Sequence, residues 1–406
     1  MATYNMFLKN LITLAGGTAL AQILPLLIAP LLARIYSPTD FAIYGVFLAS
    51  IAFTGVVATL RYDFATSQAI DDKDSHALLI ASVFVSFFVF IVLLIIAISN
   101  SFMQFAESLY EPSTLYLISV STMLMGAAQS LTYFINRNGG FKIVAKLKIM
   151  QATIACLSMV FMSDFFINGL VVGHVLGQLV FIIYFLFTIK FSEVTYFEMK
   201  KVIIEYSDYP KKSLPGSVLN SIYLQAPLFF ITLTFQPLFV GYYSFINRYI
   251  AGPLGIVSVA ISQVLLKELV KSEVKKIKRL FFKILLVNLL IVSIFIMLVV
   301  TSGEQLVPII LGSNWKGVYP YLVLLSISIS VRYVVSSVSV ILTKRTNIHL
   351  ALHWQVCSLL SLGVFLIVID SEISFLDFLT YYIVLDVFMY CLYLYQIKKG
   401  ISYLEN

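Results

Sequence analysis

Two arginines and one aspartate, Arg248, Arg332 and Asp386, lie near the middle of long apolar stretches of the sequence. An arginine at the centre of a lipid bilayer costs at least ~2.5–3.5 kcal/mol, so such a residue faces a water-filled cavity or a charged partner. A guanidinium group can also bind a phosphate through two parallel hydrogen bonds. We therefore predict that Arg248 and Arg332 bind an anionic group such as a pyrophosphate, and that Asp386 carries a proton or pairs with one arginine.

A purely structural role explains part of the same pattern. Asp386 could neutralise one arginine and hold three helices together, but one carboxylate cannot neutralise two guanidinium groups. The surplus of positive charge favours anion binding. Two further charges, Arg61 and Asp63, stand at the end of the second apolar stretch. They are predicted to form a local pair that acts in coupling or gating.

The elements that must position these residues are membrane-spanning helices. Of the 406 residues, 60% are hydrophobic and only 12% are charged, whereas about a quarter of a soluble chain is charged. Apolar runs of about 20 residues recur, each long enough to cross the hydrocarbon core as a helix. The sequence thus predicts an all-α integral membrane protein of about twelve transmembrane helices, at roughly 10–33, 40–60, 76–99, 113–135, 147–165, 168–189, 213–235, 237–262, 281–302, 318–342, 348–369 and 373–396.

The basic residues indicate the orientation of these helices. All but four of the 27 lysines and arginines fall in segments that the twelve spans place on one side of the membrane. The exceptions are Arg34 and Lys316 outside, and Arg248 and Arg332 within spans. Because basic loops remain in the cytoplasm, both termini are predicted to be cytoplasmic. This distribution accounts for the net charge of +7, and no nucleic-acid partner is predicted.

The chain also shows signs of two related halves. A shift of 199 positions aligns Gly17 with Gly216, Pro38 with Pro237, and Tyr44 with Tyr243. Together with the polar segment at mid-chain, this predicts an N-terminal six-helix lobe over residues 1–190, a cytoplasmic linker over 191–212 and a C-terminal six-helix lobe over 213–406.

Prolines mark the first and seventh predicted spans, with Pro25 and Pro30 in the former and Pro215 and Pro227 in the latter. A proline removes a backbone hydrogen bond and kinks a helix. These four residues are predicted hinges for a change between inward-open and outward-open states. Ordinary packing of prolines in membrane helices is the alternative.

A basic segment at residues 266–283 places five apolar residues on one helical stripe beside a dense lysine face. Such a pattern favours a helix that lies on the anionic inner leaflet. A plain extension of the eighth span is the alternative. The apolar stripe consists of Leu266, Val270, Val274, Ile277 and Phe281.

Motifs of enzymes are absent from the sequence. There is no phosphate-binding loop of the G-x-x-x-x-G-K-[ST] type, no nucleophile elbow and no paired-cysteine spacing for a metal. We therefore predict a protein that is not an enzyme and that uses no cofactor and no metal.

Four short stretches resemble bacterial O-antigen and polysaccharide repeat-unit flippases. The clearest lies between the first two spans, and the second departs from the usual Arg-Tyr-Glu because Asp63 replaces the glutamate. The stretches are 32–41 (LARIYSPTDF) with Tyr44 and Gly45; 60–65 (LRYDFA); Tyr209-Pro210 with Leu214-Pro215; and Gly241-Tyr242-Tyr243 with Arg248 and Pro253.

This resemblance implies membership of the multidrug/oligosaccharidyl-lipid/polysaccharide (MOP) exporter superfamily, with two six-helix lobes around a central cavity. The implied substrate is an undecaprenyl-pyrophosphate-linked oligosaccharide, moved from the inner to the outer leaflet of the bacterial cytoplasmic membrane. Arg248 would be a cavity arginine of that family, whereas Arg332 is chosen on physical grounds alone. Implied partners are the lipid-linked oligosaccharide, membrane lipids, a polysaccharide polymerase and a chain-length regulator.

Two other functions are compatible with the sequence. A cation-coupled multidrug exporter of the same superfamily would favour acidic residues in its cavity, whereas this chain has more buried arginine than carboxylate. A non-transporting membrane partner of a polysaccharide assembly complex would tolerate the loss of both intramembrane arginines.

Overall fold

A computed structural model describes residues 20–103, 112–164, 168–189, 194–271, 274–343, 347–370 and 372–403. Within these ranges the chain forms helices joined by short turns, and no strand occurs. Eleven of the described helices are long and apolar enough to cross a membrane, and Leu20–Ile35 is a shorter apolar helix. The prediction of an all-α membrane protein with about twelve spans is confirmed.

The chain forms two compact units, Met1–Gly241 and Tyr242–Asn406. The helices of the first unit are α1 (Leu20–Ile35), α2 (Pro38–Ala58), α3 (Tyr62–Gln68), α4 (Asp72–Met103), α5 (Pro112–Arg137), α6 (Phe141–Phe161), α7 (Gly169–Thr188), α8 (Tyr196–Glu205) and α9 (Leu214–Thr234), which follows a π-helical turn at Tyr209–Ser213. Helix α10 (Pro237–Ile246) crosses the boundary between the units.

The second unit contains longer and more interrupted helices. They are a π-helical turn (Asn247–Ala251), α11 (Gly252–Lys271), α12 (Val274–Leu311), a 3-10 turn (Ser313–Val318), α13 (Tyr319–Ser336), a second 3-10 turn (Ser339–Thr343), α14 (Ile348–Val368) and α15 (Phe375–Ser402). The eighth and tenth predicted spans are thus each broken, by the π-helical turn and by the second 3-10 turn.

The turn between α1 and α2 is fastened by its own polar residues. Ser37 and Asp40 form a capping box at the start of α2. The Tyr36 hydroxyl donates to the Met159 carbonyl at 2.6 Å, and the Asn168 amide donates to the Asp40 carbonyl at 3.2 Å. Burial, with Asp40 nearby, raises the pKa of Tyr36 to about 12, so its hydroxyl keeps the proton that it donates.

Pro38 and Pro237 are two residues that the shift of 199 positions aligns. Each is the first residue of a helix, α2 or α10. A proline fits the first turn because its missing N–H has no partner there. The two positions therefore share a local structure as well as a residue type.

The segment predicted as a linker contains α8, an amphipathic helix with a capping box of Thr195 and Glu198. Val202 is buried in a cluster with residues of α3 and α4. The Tyr62 hydroxyl donates to the Ile203 carbonyl at 2.9 Å. Helix α8 is thus attached to the first unit.

The basic segment at 266–283 is divided between the end of α11 and the first turns of α12, and its position on the membrane surface stays a prediction. Helix α12 runs without a break from Val274 to Leu311, a length of about 57 Å at ~1.5 Å per residue. Ile277 and Phe281 are buried in the core of the second unit. The lysine-rich turns are therefore one end of a membrane-crossing helix, because its apolar stripe packs on protein.

Helices α6 and α7 approach closely along a row of three glycines on α7. Gly169, Gly173 and Gly177 are spaced four apart and therefore share one face. A Cβ atom added at Gly173 would lie 2.6 Å from the backbone nitrogen of Met159 and 2.9 Å from its Cα. The absence of side chains on this face lets the two backbones meet, as small residues do in membrane helices.

We expect Gly173→Ala to destabilise the protein by about 1–3 kcal/mol, the usual cost of overpacking, because a backbone cannot move aside as a side chain can. The measurement is the unfolding transition of the purified protein in detergent. Gly363→Ala in α14 is the matched control, since a Cβ there would meet no described atom within 4 Å. Equal effects of the two substitutions would contradict the interpretation.

Candidate functional site

An ion pair joins α13 to α15 within the second unit. The guanidinium of Arg332 contacts the carboxylate of Asp386 through two parallel hydrogen bonds, Nε to Oδ2 and Nη2 to Oδ1, each 2.8 Å long. This is the bidentate geometry that makes arginine–carboxylate pairs strong. Asp386 therefore pairs with Arg332, and its role as a proton carrier stays a prediction.

Neighbouring hydroxyls and rings complete the surroundings of the pair. The Ser328 hydroxyl donates to Asp386 Oδ2 at 2.6 Å, and Arg332 Nη2 donates to the Tyr382 hydroxyl at 2.7 Å. Tyr382 also shares a hydrogen bond with Tyr243. The Arg332 guanidinium also lies 5.8 Å from the ring centre of Tyr390, a cation–π distance.

The helical period explains why these residues meet. On α13, Ser328 and Arg332 are four apart, and on α15, Tyr382, Asp386 and Tyr390 are also spaced by four. Residues at this spacing lie on one face of a helix. One face of each of these two helices thus supplies the ion pair and its nearest partners, and α10 adds Tyr243.

The two members of the pair differ in exposure. The Asp386 side chain is 3% exposed, whereas that of Arg332 is 30% exposed. The carboxylate is therefore enclosed, whereas part of the Arg332 side chain is exposed. An anion that approaches Arg332 has to compete with Asp386, because the pair as it stands is electrically neutral.

Arg248 lies in a different local structure, the π-helical turn Asn247–Ala251. Its guanidinium is 5.8 Å from the ring centre of Tyr249. Single π-turns inside α-helices occur frequently at functional sites. The turn places Arg248 between α10 and α11, at the break in the eighth predicted span.

A polar cavity of about 540 Å³ lies between α2 and α9 in the first unit. Its α2 wall is apolar, and its α9 wall carries hydroxyl and amide groups, with one guanidinium at the end of α2. The lining residues are Ala52, Val56, Arg61, Ser213, Gly216, Ser217, Asn220, Ser221, Leu224 and Gln225.

Arg61 reaches this cavity through a strained turn. Leu60 and Arg61 have φ angles of 49° and 67°, a left-handed conformation that non-glycine residues adopt at a cost of order 1–3 kcal/mol. Arg61 Nε donates to the Ser213 hydroxyl at 3.4 Å, and the guanidinium lies 5.4 Å from the Phe64 ring centre.

Asp63 turns away from Arg61. It is 2% exposed, and its Oδ1 accepts a hydrogen bond from the Thr59 hydroxyl at 2.7 Å. The structure describes both Arg61 and Asp63, and no ion pair joins them. The predicted local pair therefore does not form. Their proposed part in coupling or gating would therefore act through separate partners.

The α9 wall is the part of the site that the sequence reasoning missed. Ser213, which directly precedes α9, and Ser217, Ser221 and Gln225 are spaced by four, and Asn220 follows Ser217 by three, the period of one helix face. The sequence contains this signal, but the signal consists of uncharged polar residues and not of the charges and prolines on which the predictions were based.

The proline hinges occupy three kinds of position. Pro25 and Pro30 lie within α1, which stays helical through both. Pro215 is in the first turn of α9, directly after the π-helical turn Tyr209–Ser213, and Pro227 is buried inside α9. Their role as hinges stays a prediction.

Comparison with known families identifies the chain at the level of the family. The model of a family described as polysaccharide biosynthesis protein matches residues 31–320. The chain belongs to that family. The match confirms the resemblance of the sequence to polysaccharide transporters at this level. No curated protein sequence matches the chain.

Its fold is similar to that of solved transporters, among them members of the MOP superfamily. The lipid II flippase MurJ, in an inward closed conformation, aligns with a TM-score of 0.72 at 14% identity, over 96% of this chain and 89% of that chain. An inward-facing multidrug resistance MATE family transporter of the MOP superfamily aligns with a TM-score of 0.61 at 13% identity, over 96% and 95%. A MOP superfamily transporter from Pyrococcus furiosus gives 0.51 at 11% identity, over 98% and 96%.

We expect Asp386→Leu to destabilise the protein by about 3 kcal/mol, because Arg332 would lose its carboxylate in an apolar setting. The value is the lower end of the range for breaking a buried pair, since the Arg332 side chain is 30% exposed. The double variant Arg332→Met/Asp386→Leu should recover most of the loss. Unfolding in detergent measures both.

Asp208→Ala is the control for this experiment. It removes an ion pair with Lys212 whose side chains are 67% and 75% exposed, and exposed pairs contribute little. If the double variant were as unstable as Asp386→Leu, the loss of stability would not come from leaving Arg332 without its carboxylate.

Proposed function

We propose that this protein moves an undecaprenyl-pyrophosphate-linked oligosaccharide, such as an O-antigen repeat unit, from the inner to the outer leaflet of the bacterial cytoplasmic membrane. The observation that carries the proposal is the cavity between α2 and α9, where hydroxyl and amide groups and one guanidinium line a space within a bundle of apolar helices. Membership of the polysaccharide biosynthesis protein family supports a glycan substrate.

The chemistry of the cavity wall fits the head group of such a lipid. Sugar hydroxyls both donate and accept hydrogen bonds, and so do the serine, asparagine and glutamine side chains of α9. Sugars cross hydrocarbon poorly because their polar groups would lose these partners. The head group would travel along the polar wall while the polyprenyl tail stays in lipid.

Arg248 and Arg332 would bind the pyrophosphate. Arg332 is neutralised by Asp386 at 2.8 Å, so it becomes available when the substrate displaces the carboxylate or when Asp386 takes a proton. Arg248 lies outside this pair and would make the first contact. Asp386 then serves as the coupling group, since re-forming the pair releases the anion.

Arg61 and Asp63 would act at the gate. The strained turn at Leu60 and Arg61 and the π-helical turn before Pro215 meet where Arg61 contacts Ser213. Bending of α1 and α9 at Pro25, Pro30, Pro215 and Pro227 would open and close the path. The activity involves no covalent chemistry, and both termini would face the cytoplasm.

A second candidate function is export of cationic drugs, since one structural neighbour is a multidrug resistance transporter. Exposed carboxylates would favour cations, but Asp386 is enclosed and paired with Arg332, whereas the Arg61 side chain lines the polar cavity. The observation therefore favours an anionic substrate. A polymerase and a chain-length regulator remain the partners expected for a polysaccharide transporter.

The first test is complementation of bacterial strains that lack their polysaccharide flippase, chosen to cover several repeat units. We expect wild type to restore surface polysaccharide in at least one strain, and Arg248→Ala and Arg332→Ala to lower it at least about tenfold, because a charge-assisted contact contributes about 1.5–3 kcal/mol. Membrane levels must be matched. Lys316→Ala, an exposed cation, is the control and should behave as wild type.

Two outcomes would count against this proposal. Normal polysaccharide in both arginine variants would show that the arginines are structural. Failure of wild type in every strain, together with resistance to cationic drugs on expression, would replace the flippase by the drug exporter.

The α9 wall gives an independent prediction. Ser217→Val and Gln225→Leu should each reduce transport several-fold, because they remove hydrogen-bonding groups from the cavity without changing its size greatly. Thr234→Val, a similar change on the same helix outside the cavity, should have no effect. The rate is measured in proteoliposomes with a fluorescent lipid-linked oligosaccharide. A loss that is equal at all three positions would indicate damage to α9 rather than to the cavity.

A further inference from the structure

A polar cluster around His174 lies inside the first unit, apart from the cavity. The Tyr44 hydroxyl is 3.3 Å from His174 Nδ1, and Gln178 Nε2 is 3.3 Å from His174 Nε2. The Ser121 hydroxyl donates to Gln178 Oε1 at 2.6 Å. On α2, Tyr44 is eight residues from Ala52 of the cavity, about 12 Å along the helix.

The contacts of Gln178 determine the protonation of the imidazole. Because Oε1 faces Ser121, the amide NH2 faces His174, and an NH2 group can only donate. In this arrangement Nε2 accepts, which fits a neutral ring that carries its proton on Nδ1, facing Tyr44. The arrangement describes one protonation state of a residue that changes charge between pH 5 and 8.

We propose that His174 is a proton-binding site that couples transport to the proton concentration outside the membrane. The inference rests on the proposed function for its physiological role, but the binding of the proton can be tested without transport. An ionisable side chain within a membrane span is costly to keep. In the predicted orientation, His174 and Tyr44 lie near the outer ends of α7 and α2.

Proton uptake would switch the hydrogen bonds rather than merely add a charge. Both ring nitrogens of a protonated histidine donate, so Nε2–H would face the Gln178 NH2 group. The conflict ends when the amide turns, which brings Oε1 to His174 and NH2 to Ser121. The Ser121 hydroxyl can accept that bond and donate to a backbone carbonyl one turn earlier in α5.

The neighbours of His174 connect three helices to this switch. From α2, Tyr44 is the titratable group that faces His174. The ring of Phe47, also on α2, lies 5.7 Å from the His174 ring between centres. From α5, the facing group is Ser121, reached through Gln178. Helix α6 packs on the adjacent glycine face of α7 through Met159. A change at His174 therefore alters the tie between α5 and α7 and the contact with α2.

The direct test is 15N NMR of the histidine-labelled protein in lipid nanodiscs between pH 5 and 8. The chain has four histidines, and His174→Gln identifies the signal of His174 by its loss. We expect a neutral ring protonated at Nδ1 at pH 8 and a doubly protonated ring at pH 5. Ser121→Ala should release the amide and give a mixture of the two neutral tautomers. A His174 signal that stays neutral down to pH 5 would overturn the proposal.

The role in transport has its own readout. We expect the wild-type rate in proteoliposomes to change at least about threefold across the range in which histidine titrates, and His174→Gln to abolish that dependence while it retains activity. His349→Gln, which alters an exposed histidine, should keep the wild-type profile. A titrating His174 without any transport activity would contradict the proposed function and leave the proton site standing. An unchanged pH profile in His174→Gln would remove the coupling.

Discussion

Hydrocarbon contains no water that could hydrogen-bond to a polar group, and this constraint determines the polar contacts of the protein. In the second unit, Asp386 is enclosed because Arg332 and Ser328 satisfy its oxygens. The same requirement explains how α13 can end inside the predicted tenth span. There, the Ser262 hydroxyl donates to the carbonyls of Ser336 and Ser337, which the break in the helix leaves without helical partners.

In the first unit the same constraint separates two kinds of polar group. Around His174, each described polar atom faces a protein partner, so the cluster behaves as a closed network with two consistent arrangements. Along α9, hydroxyl and amide groups line an open space instead. Groups of the second kind can exchange water for a ligand, and for this reason we assign binding to the cavity and proton uptake to the network.

The residues that carry the family resemblance are largely structural. Tyr36, Ser37 and Asp40 fasten the turn between α1 and α2 and tie it to α6 and to the turn before α7. In the second resemblance motif, Asp63 is held by Thr59. A motif that preserves a turn identifies a fold well but says little about substrate. Arg61 of the second motif lines the cavity, but most of the polar lining groups lie on a face of α9 whose residues belong to no motif.

Composition and charge alone determined the class of the protein, its helices and the positions of its intramembrane charges, because the cost of placing each residue in lipid is local. Which partner each charged group binds, in contrast, depends on residues that are far apart in the sequence. Asp386 could have paired with Arg248 or Arg332, and only the packing of α13 on α15 decided for Arg332. Likewise, the apolar stripe of Ile277 and Phe281 could have faced lipid or protein, and the tertiary structure buried it. The sequence specifies which groups need a partner, whereas contacts between distant segments decide which partner each one has.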